Sequence, residues 1–319
     1  MQGSGERGVA LVATLLVVTL LTVLVLEFTY SVQVNLHLAR NHVSLLQASY
    51  LAASGVNVAR LVLKQDGART GIDSLDEPWA RPVPALAAGA GAVAVRITDA
   101  MGKLNLNVLR TASGTIDHEW REVAQRLFVQ VGVDPDLVDA LSDWLDADDF
   151  PEPRGAERAH YLAKARPYTP SNAALLTEGE LARVEGFAAT DILELLGPVV
   201  SVLPDRNTSI NVNTAPAEVL HAVFGPDAGD TVERLLAARA QAPFAGVQDV
   251  RGRLGLKGEQ SAAGLRRLDA RSRYFCVEAV ATVGDVRQAI SSLVRRRAAE
   301  VSLLEWRPDD LRAGAAGGV

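Results

Sequence analysis

The sequence contains little that could support catalysis or covalent cross-linking. Its single cysteine, Cys276, excludes an intramolecular disulfide, and the strand-like run around it is typical of a buried structural thiol. The five histidines show neither zinc-ligand spacing nor a triad pattern, and no phosphate loop or dinucleotide fingerprint is present. An anchored hydrolase would need a catalytic group that this sequence does not offer. We therefore predict that the protein is not an enzyme.

A strong excess of one charge is also missing. The net charge of −6 gives no general attraction for nucleic acid or for anionic lipid. The two signs are unevenly placed, because residues 134–157 are acidic and residues 251–297 are rich in arginine. We interpret Arg266, Arg267 and residues 295–297 as a solvated basic face, with contact to an acidic partner subunit left open.

Proline and glycine are absent from most of the first quarter of the chain. No proline precedes Pro78, no glycine lies between Gly8 and Gly55, and residues 8–26 carry no charge. As a helix, the run from Val9 is about 27 Å long, which nearly crosses a hydrocarbon core of about 30 Å. A cleaved signal sequence fits poorly because the run is long and continues into Glu27. A signal anchor and a prepilin-type leader, whose helix stays with the mature protein, both remain open.

The segment after the apolar run has a helical pattern of its own. Leu38, Leu45, Ala52, Val56 and Leu63 share one helix face, which predicts a single helix of about 55 residues with an amphipathic second half. Two helices with a break near Tyr30 are the alternative. An interior glycine costs a helix about 1 kcal/mol, so Gly55 indicates a close backbone approach or a kink.

The rest of the chain mixes strands and short helices. The Gly- and Pro-rich residues 65–92 predict a loop, and the alternating residues 92–99 and 104–109 predict a hairpin with Asn105 and Asn107 on its polar side. Thr214 is a predicted helix N-cap, and the Gly- and Ala-rich tail is predicted to be disordered. Helices are predicted within 117–198 and near 217–224, 228–242 and 247–254, and strands at 273–283, 287–296 and 301–306.

Carboxylates cluster around the end of one predicted helix. Asp143 and Asp146 lie on the same face of that helix, and Asp148, Asp149 and Glu157 follow in the next loop. Several carboxylates at a helix C-terminus have the wrong sign for the helix dipole and need a compensating cation. Calcium fits better than zinc, because His and Cys ligands are missing. A solvated acidic loop and, less favoured, a catalytic carboxylate pair are the alternatives.

Residues 210–220 resemble the start of a helix-hairpin-helix module, which binds the DNA backbone. Such modules need a glycine-rich hairpin with exposed amides and nearby basic residues. Gly225 and Gly229 match that hairpin poorly. We therefore favour a structural role for the Asn side chains, and keep a membrane-anchored protein for DNA binding and uptake as the rival function.

Three stretches together resemble a known family. The start Glu6-Arg7-Gly8-Val9, the run Leu26-Glu-Phe-Thr-Tyr30 and residues 47–56 (Gln-Ala-Ser-Tyr-Leu-Ala-Ala-Ser-Gly-Val) are similar to the minor pseudopilin K of the type II secretion system. The resemblance extends to the acidic segment, residues 143–148, and to Gly155-Ala-Glu157, Pro167-Tyr168 and Asn172. It implies cleavage by prepilin peptidase between Gly8 and Val9, methylation of Val9, and bound calcium. We take Asp143, Asp146, Asp148, Asp149 and Glu157 as the candidate calcium ligands.

The family resemblance also predicts a role and a location. Most pilins carry a Glu at the fifth mature position, where this chain has Ala13, and a subunit at the tip has no neighbour above it for such a carboxylate to pair with. We expect a tip subunit of the periplasmic pseudopilus that binds the minor pseudopilins I and J. Arg7 before the apolar run and Glu27 after it predict that the bulk of the chain is translocated. The resemblance implies that the helix lies in the inner membrane of a Gram-negative bacterium and that the bulk of the chain is in the periplasm.

The predicted fold is α+β, with a long N-terminal pilin-type helix, a small antiparallel sheet in a pilin-like domain, and an inserted all-α domain. The predicted boundaries are a leader at 1–8, the membrane and assembly helix at 9–65, the pilin-like domain at 66–114 and 201–307, the inserted helical domain with the acidic loop at 115–200, and the tail at 308–319.

Overall fold

The computed structural model describes the backbone of residues 5–298 and 300–309, and the side chains of residues 9–258, 262–298 and 300–308. The strands are β1 (Val83–Ala88), β2 (Gly91–Asp99), β3 (Leu104–Asn105), β4 (Val200–Ser201), β5 (Ile210–Asn211), β6 (Leu268–Asp269), β7 (Tyr274–Val283), β8 (Val286–Arg297) and β9 (Glu300–Asp309). The helices are α1 (Gly5–Arg69), α2 (His118–Gln130), α3 (Leu137–Leu145), α4 (Arg158–Leu162), α5 (Thr190–Leu196), α6 (Ala217–Phe224), α7 (Gly229–Gln241), α8 (Val247–Leu254) and α9 (Glu259–Arg266). The predicted α+β fold is confirmed.

The N-terminal helix α1 is continuous over 65 residues, so the alternative of a break near Tyr30 does not hold. From Val9 onward it is long and apolar enough to cross a membrane, and none of its most apolar window is buried in the protein. The predicted core face is correct for Ala52, Val56 and Leu63, which are buried, and wrong for Leu38 and Leu45, which are 62% and 43% exposed. The buried face begins only at Ala48, because the earlier part of α1 has no strand beside it.

A five-stranded antiparallel sheet packs against the second half of α1. The strand order is β1-β2-β7-β8-β9, and α1 contacts β2, β7, β8 and β9. Small side chains on the helix face, including Ala48, Ala52 and Ala59, allow the helix axis to approach the sheet. Gly55 makes the closest approach, since an added Cβ would lie 3.0 Å from methyl groups of Val93 and Val95. The predicted close approach at Gly55 is therefore confirmed.

The predicted hairpin between residues 92–99 and 104–109 is wrong. Strand β2 pairs with β1 and β7, while β3 is two residues long, runs parallel to β4 and continues into a 3-10 helix over residues 106–109. Asn105 and Asn107 are buried rather than solvated. The side chain of Asp99 accepts from the backbone N–H of Met101 and starts another short 3-10 turn at the end of β2. This turn directs the chain away from the sheet.

The structure contradicts two further local predictions and confirms a third. The predicted loop at 65–92 contains the last turn of α1, a 3-10 turn at 78–80 and strand β1, so that prediction is wrong there. Thr214 is not an N-cap, because α6 begins after Pro216 and the Thr214 hydroxyl donates to Asp99 instead. Asp117 does cap α2, accepting from the N–H of Trp120. The predicted disorder of the tail lies outside the described residues.

The two ends of the sheet lie at different levels along α1. At one end, Gly91 lines the same shallow cleft as Leu51 of α1. At the other end, a guanidinium nitrogen of Arg296 in β8 lies 3.4 Å from the carbonyl oxygen of Leu63. Because the apolar segment is at the start of α1, the end near Arg296 is the one distal to that apolar segment.

A large helical block is inserted at this distal end. The chain leaves the sheet at Asp99 and returns at Tyr274, and Asp99 pairs directly with Phe275. The amide of Asn211, inside the block, donates to the Asp99 carboxylate and to the carbonyl of Asp73, which fixes the block to the sheet and to the chain after α1. The structure thus places the helical part at residues 100–273, a wider span than the predicted 115–200.

The first half of the helical block is built around two buried asparagines. Asn105 accepts from the N–H of Asn107 at 3.1 Å. Asn107 in turn donates to the carbonyl of Leu175 at 2.9 Å and accepts from the N–H of Leu175 at 2.8 Å. Strands β3 and β4 then close the unit in parallel. We call residues 104–203 the first helical module.

The second half repeats this arrangement. Asn211 accepts from the N–H of Asn213 at 2.9 Å, and Asn213 exchanges two hydrogen bonds with the backbone of Phe244, at 3.0 and 2.8 Å. Strands β5 and β6 pair in parallel, as β3 and β4 do. We call residues 210–269 the second helical module. The matching hydrogen bonds and parallel strand pairs show that the two modules share one arrangement, which we call the repeated unit.

The two modules differ in the length of the chain that follows their second helix. In the second module, α7 ends at Gln241, three residues before Phe244. In the first module, α3 ends at Leu145 and the equivalent Leu175 follows only after a long excursion. Residues 146–174, which we call the acidic loop, are therefore an addition to the repeated unit.

Asn213 acts as a clasp, because its side chain exchanges two hydrogen bonds with the backbone of Phe244. Replacing Asn213 with Ala should destabilise the helical block. Asn213 is 1% exposed, and its loss leaves the N–H and C=O of Phe244 buried without partners. We expect a cost of about 2–4 kcal/mol in the free energy of unfolding, measured by chemical denaturation. Asn207→Ala is the matched control, because Asn207 is exposed. Equal stability of the two variants would contradict a clasp role.

Candidate metal centre

Helix α3 presents two acidic side chains of the candidate site. It is apolar along most of its length and packs Val138, Leu141 and Trp144 into the core of the helical block. Asp143 lies in its last turn with no exposed surface, and Asp146 caps its C-terminus in an extended conformation with 6% exposure. Carboxylates buried at the negative end of a helix are unfavourable without a cation.

The acidic loop brings a third carboxylate to this position. Glu157 is 5% exposed, and oxygens of Asp143, Asp146 and Glu157 all lie within 4.8 Å of one another. The backbone N–H of Glu152 donates to both oxygens of Asp143, at 3.1 and 3.2 Å. The structure therefore brings together three of the five predicted ligands from a helix end and a loop.

A glycine makes this approach possible. A Cβ built on Gly155 would overlap Oδ2 of Asp143 and would lie 2.6 Å from its Cγ. Any side chain at this position would push the loop away from α3. The Gly-Ala-Glu sequence at 155–157 thus has two roles. Gly155 leaves room for the side chain of Asp143, and Glu157 places a third carboxylate in the cluster.

One cation contacts the cluster among the described residues. Arg110 forms a buried ion pair with Asp146 and donates to the carbonyl of Ser142 at 3.2 Å. The ion pairs of the described residues near this site join Arg110 to Asp146 and Arg121 to Asp139 and Glu152, and none involves Asp143 or Glu157. Oδ1 of Asp146 and both oxygens of Glu157 are buried without a hydrogen-bond donor. Arg110 therefore neutralises part of the charge and leaves several oxygens available.

The protonation of the cluster reflects this shortage of cations. Burial raises the pKa of Asp143 to about 6, opposed by the N–H of Glu152 and assisted by Asp146. Burial, followed by the charges of Asp143 and Asp146, raises the pKa of Glu157 to about 7. The pKa of Asp146 is also raised by burial, and Arg110 opposes the shift. A bound cation would reverse these shifts by favouring the ionised carboxylates.

The other two predicted ligands, Asp148 and Asp149, lie at exposed positions after α3. Oδ1 of Asp148 accepts from the N–H of Phe150 at 2.9 Å, and its carbonyl oxygen accepts from the amide of Asn172 at 3.0 Å. Asn172 has a positive φ of 45°, and its own Oδ1 is buried without a donor. That oxygen is a further neutral acceptor in the acidic loop.

The donor set fits a hard cation. It consists of carboxylate oxygens with orphaned lone pairs, next to a glycine that leaves space, and it includes no His or Cys. Calcium accepts such irregular oxygen ligands, whereas zinc favours nitrogen and sulfur. Arg110 was not predicted, because it is 36 residues from Asp146 and no local pattern connects them.

The predicted processing site lies at the start of α1. The helix includes the backbone of Gly8, and Val9 is 71% exposed. Of the arginines predicted to form a solvated basic face, Arg267 pairs with Glu119, and Arg296 is 9% exposed and pairs with Asp66 and Asp73. The DNA-binding alternative has no support from this arrangement, since Asn211 and Asn213 are buried and hold backbone groups.

The comparisons with known proteins agree with this architecture. Two family models, both described as type II secretion system protein K, match residues 102–205 and 210–270, which are close to the two helical modules. The type II secretion system protein K of Pseudomonas aeruginosa is 33% identical over 92% of this chain and 89% of its own length. The protein of the same name from Klebsiella pneumoniae is 28% identical over 95% of this chain and 96% of its own length.

A solved structure shows the same fold. A chain of the GspK-GspI-GspJ complex from the type 2 secretion system of enterotoxigenic Escherichia coli superposes with a TM-score of 0.73, at 23% identity, over 85% of this chain and 99% of that chain. The N-terminal motifs, the helical block and the relatives lead to one assignment. The chain belongs to the type II secretion system protein K family and is a minor pseudopilin of type II secretion.

Proposed function

We propose that this protein caps the tip of a periplasmic pseudopilus. The observation that supports the proposal is the position of the helical block, which occupies the end of the sheet distal to the membrane-spanning segment. In a fibre whose subunits stack with α1 along the axis, a further subunit would have to occupy the space that residues 100–273 fill. The protein then acts as a structural subunit rather than as an enzyme.

In this proposal α1 is the assembly device. Its apolar first half is exposed over a length that suits the inner membrane, and the same surface can pack against other helices once the subunit leaves the bilayer. Ala13 adds no carboxylate to this segment, as expected for a subunit without a neighbour above it. We propose that the minor pseudopilins I and J are its partners, as their names appear with that of the structurally similar chain.

The tip role can be tested by removing the helical block. Replacing residues 100–271 with Gly-Asn-Gly joins Asp99 to Ser272, and a short turn is sufficient because Asp99 already pairs with Phe275. We expect the variant to co-purify with I and J but to appear along the fibre instead of only at its end, as seen by immunogold electron microscopy. A variant that lacks only residues 147–173 is the control and should still mark the tip. Fibres capped normally by the larger deletion would contradict the proposal.

Processing at the N-terminus gives a separate test. We propose that prepilin peptidase cuts between Gly8 and Val9 and that the new amine of Val9 is methylated. The mass of the membrane-extracted protein should then equal that of residues 9–319 with one added methyl group. The Gly8→Leu variant should keep the full-length mass. A wild-type protein that retains Met1 would rule out the processing.

We further propose that the acidic cluster binds calcium through Asp143, Asp146 and Glu157. Asp148 and Asp149 lie close enough in sequence to supply further oxygens, directly or through water. Calcium would supply positive charge that neutralises the buried carboxylates. This chain's residues do the rest: Arg110 orients Asp146, the N–H of Glu152 orients Asp143, and Gly155 lets the acidic loop close onto α3.

A further inference from the structure

A second group of buried carboxylates lies where α1 ends. Asp66 is in the last turn of α1, and Asp73 and Glu77 are in the connection to β1. Their exposed fractions are 7%, 1% and 8%, and oxygens of all three lie within 4.8 Å of one another. The group is remote in sequence from the acidic loop and belongs to the pilin-like part of the chain.

Arg296 is the cation that contacts this group in the described part of the chain. It pairs with Asp66 at 2.9 Å and with Asp73, and it also lies near the carbonyls of Leu63 and Ser272. Both of its terminal nitrogens are therefore engaged with partners other than Glu77. One guanidinium faces three carboxylates, which leaves an excess of buried negative charge.

Glu77 provides the independent sign of a missing ligand. Its Oε2 accepts from the N–H of Ser74 at 2.8 Å and from Nε1 of Trp79 at 3.0 Å. Its Oε1 is buried and has no hydrogen-bond donor. A buried carboxylate oxygen without a partner is costly, because it loses its hydration and gains nothing in exchange.

The electrostatics of the neighbouring groups point in the same direction. Burial raises the pKa of Asp73 to about 6, with Arg296 opposing the shift and the charge of Asp99 adding to it. The pKa of Asp66 is raised by burial and then by Glu77, and the charges of Arg296 and Arg69 oppose the shift. The site therefore disfavours three ionised carboxylates unless a further positive charge is present.

We propose that Asp66, Asp73 and Glu77 form a second cation site, specific for a hard divalent ion such as calcium. Calcium–oxygen distances of about 2.4 Å place two ligands on opposite sides of the ion about 4.8 Å apart. The three carboxylates have oxygens within 4.8 Å of one another, so the group is compact enough for all three to contact one ion. Oxygen-only ligands exclude a preference for zinc. The ion and Arg296 would share the carboxylates of Asp66 and Asp73, and the ion would supply the partner that Oε1 of Glu77 lacks.

Such an ion would stabilise the connection between α1 and the rest of the protein, which consists of the sheet and the helical block. Asp66 belongs to α1, and Asp73 and Glu77 lie in the connection to β1, so one ion would connect the end of α1 to the chain that follows it. Arg296, near the end of β8, would join the sheet to the same group through its ion pairs with Asp66 and Asp73. Asp73 also accepts from the N–H of Ser272, where the chain returns from the helical block. The alternative is a proton shared between Asp66 and Glu77, which requires no metal.

The test uses the full chain in detergent with the first cluster silenced by Asp143→Asn and Glu157→Gln. In this background we expect calcium to raise the melting temperature, and terbium to give emission sensitised by Trp79, whose Nε1 lies 3.0 Å from Glu77. Adding Glu77→Gln should abolish both effects while keeping an acceptor for Ser74 and Trp79. Asp76→Asn is the matched control, because the neighbouring Asp76 is exposed, and it should change neither effect.

The metal-free melting temperature separates binding from folding. Removing a buried, partnerless charge should leave the chelated Glu77→Gln protein at least as stable as the background. A second variant, Asp66→Asn, should also lose the calcium and terbium responses. The proposal is overturned if the background protein shows no calcium response and no terbium emission, which is the outcome for a shared proton. It is equally overturned if both responses survive Glu77→Gln.

Discussion

Chelating calcium should open the acidic loop and leave the rest of the helical block closed. A ligand present at 100 to 1,000 times its dissociation constant stabilises the bound state by about 2.7–4.1 kcal/mol. We therefore expect backbone amides in residues 147–173 to exchange with deuterium about 100- to 1,000-fold faster in EGTA than in excess calcium. Because the acidic loop is an addition to the repeated unit, amides of α6 and α7 should exchange at unchanged rates. Hydrogen exchange with mass spectrometry measures both regions in one sample.

The Asp143→Asn variant sharpens this prediction. Asn keeps the size of the side chain and can still accept from the N–H of Glu152, but it loses the charge that calcium needs. Its acidic loop should exchange equally fast with and without calcium, and in EGTA it should exchange more slowly than the wild type, since one of three repelling carboxylates is gone. The exposed Asp191→Asn is the control and should keep the calcium response. Identical exchange of the wild-type loop in calcium and EGTA would refute the calcium proposal.

Replacing Gly55 with Leu should detach the long helix from the sheet. The Cβ alone would lie 3.0 Å from methyl groups of Val93 and Val95 and 3.2 Å from Cβ of Ala279. The remaining carbons of Leu would have to enter a space that the sheet already fills. Overpacking of this kind costs about 1–3 kcal/mol even where the surroundings yield. Here the neighbours lie on two paired strands, β2 and β7, which cannot easily move apart. We therefore expect a loss of stability at the upper end of that range, or a sheet that fails to fold.

The control for Gly55→Leu is the adjacent Ser54→Leu. Ser54 is exposed and its hydroxyl donates only to the carbonyl of Tyr50, within the helix. Leu has a better helix propensity than Gly or Ser, so propensity stabilises both variants and cannot explain a loss at Gly55. Thermal unfolding of the full chain, followed by circular dichroism, should show a large drop for Gly55→Leu and little change for Ser54→Leu. Similar melting temperatures for the two variants would show that the approach at Gly55 is not tight.

Local patterns in the sequence were sufficient for elements whose partners are close in the chain. The continuous α1 follows from its lack of Pro and Gly, and the β7–β8 pair follows from two alternating runs around Gly284. One of the two partners of β2 could not be found in this way. Alternation in residues 92–99 shows that a strand exists but not which strands it pairs with. Its neighbour β1 is close in the chain, but its other neighbour, β7, follows the whole helical block.

One available signal was overlooked. The sequences Leu104-Asn-Leu-Asn107 and Ile210-Asn-Val-Asn213 share a pattern of Asn residues two positions apart, each followed by helices. Treating the pair as a repeat would have predicted two equivalent modules and buried asparagines. It would also have shown that the acidic loop is extra, since only the first module has it.

The candidate metal site was partly accessible from sequence. The sequence predicts a cation site because carboxylates cluster around a helix end, and the structure brings together Asp143, Asp146 and Glu157 of the five predicted ligands. Whether Asp148 and Asp149 also bind metal stays a prediction. The ion pair with Arg110 and the exact clearance that Gly155 provides depend on tertiary contacts, which no spacing along the chain encodes.

The adjacency of the two chain ends of the helical block has a consequence for the order of folding. Asp99 and Ser272 are hydrogen-bonded although 173 residues separate them. Closing a flexible loop of that length costs about 3 kcal/mol more entropy than closing a four-residue turn. If the two modules form first, from contacts between residues closer in the chain, the ends of β2 and β7 are already side by side. Most of the entropy cost of closing the loop is then removed. The five-stranded sheet would then form last, so it can receive the second half of α1 only after the helical block, the part farthest from the apolar segment, has folded.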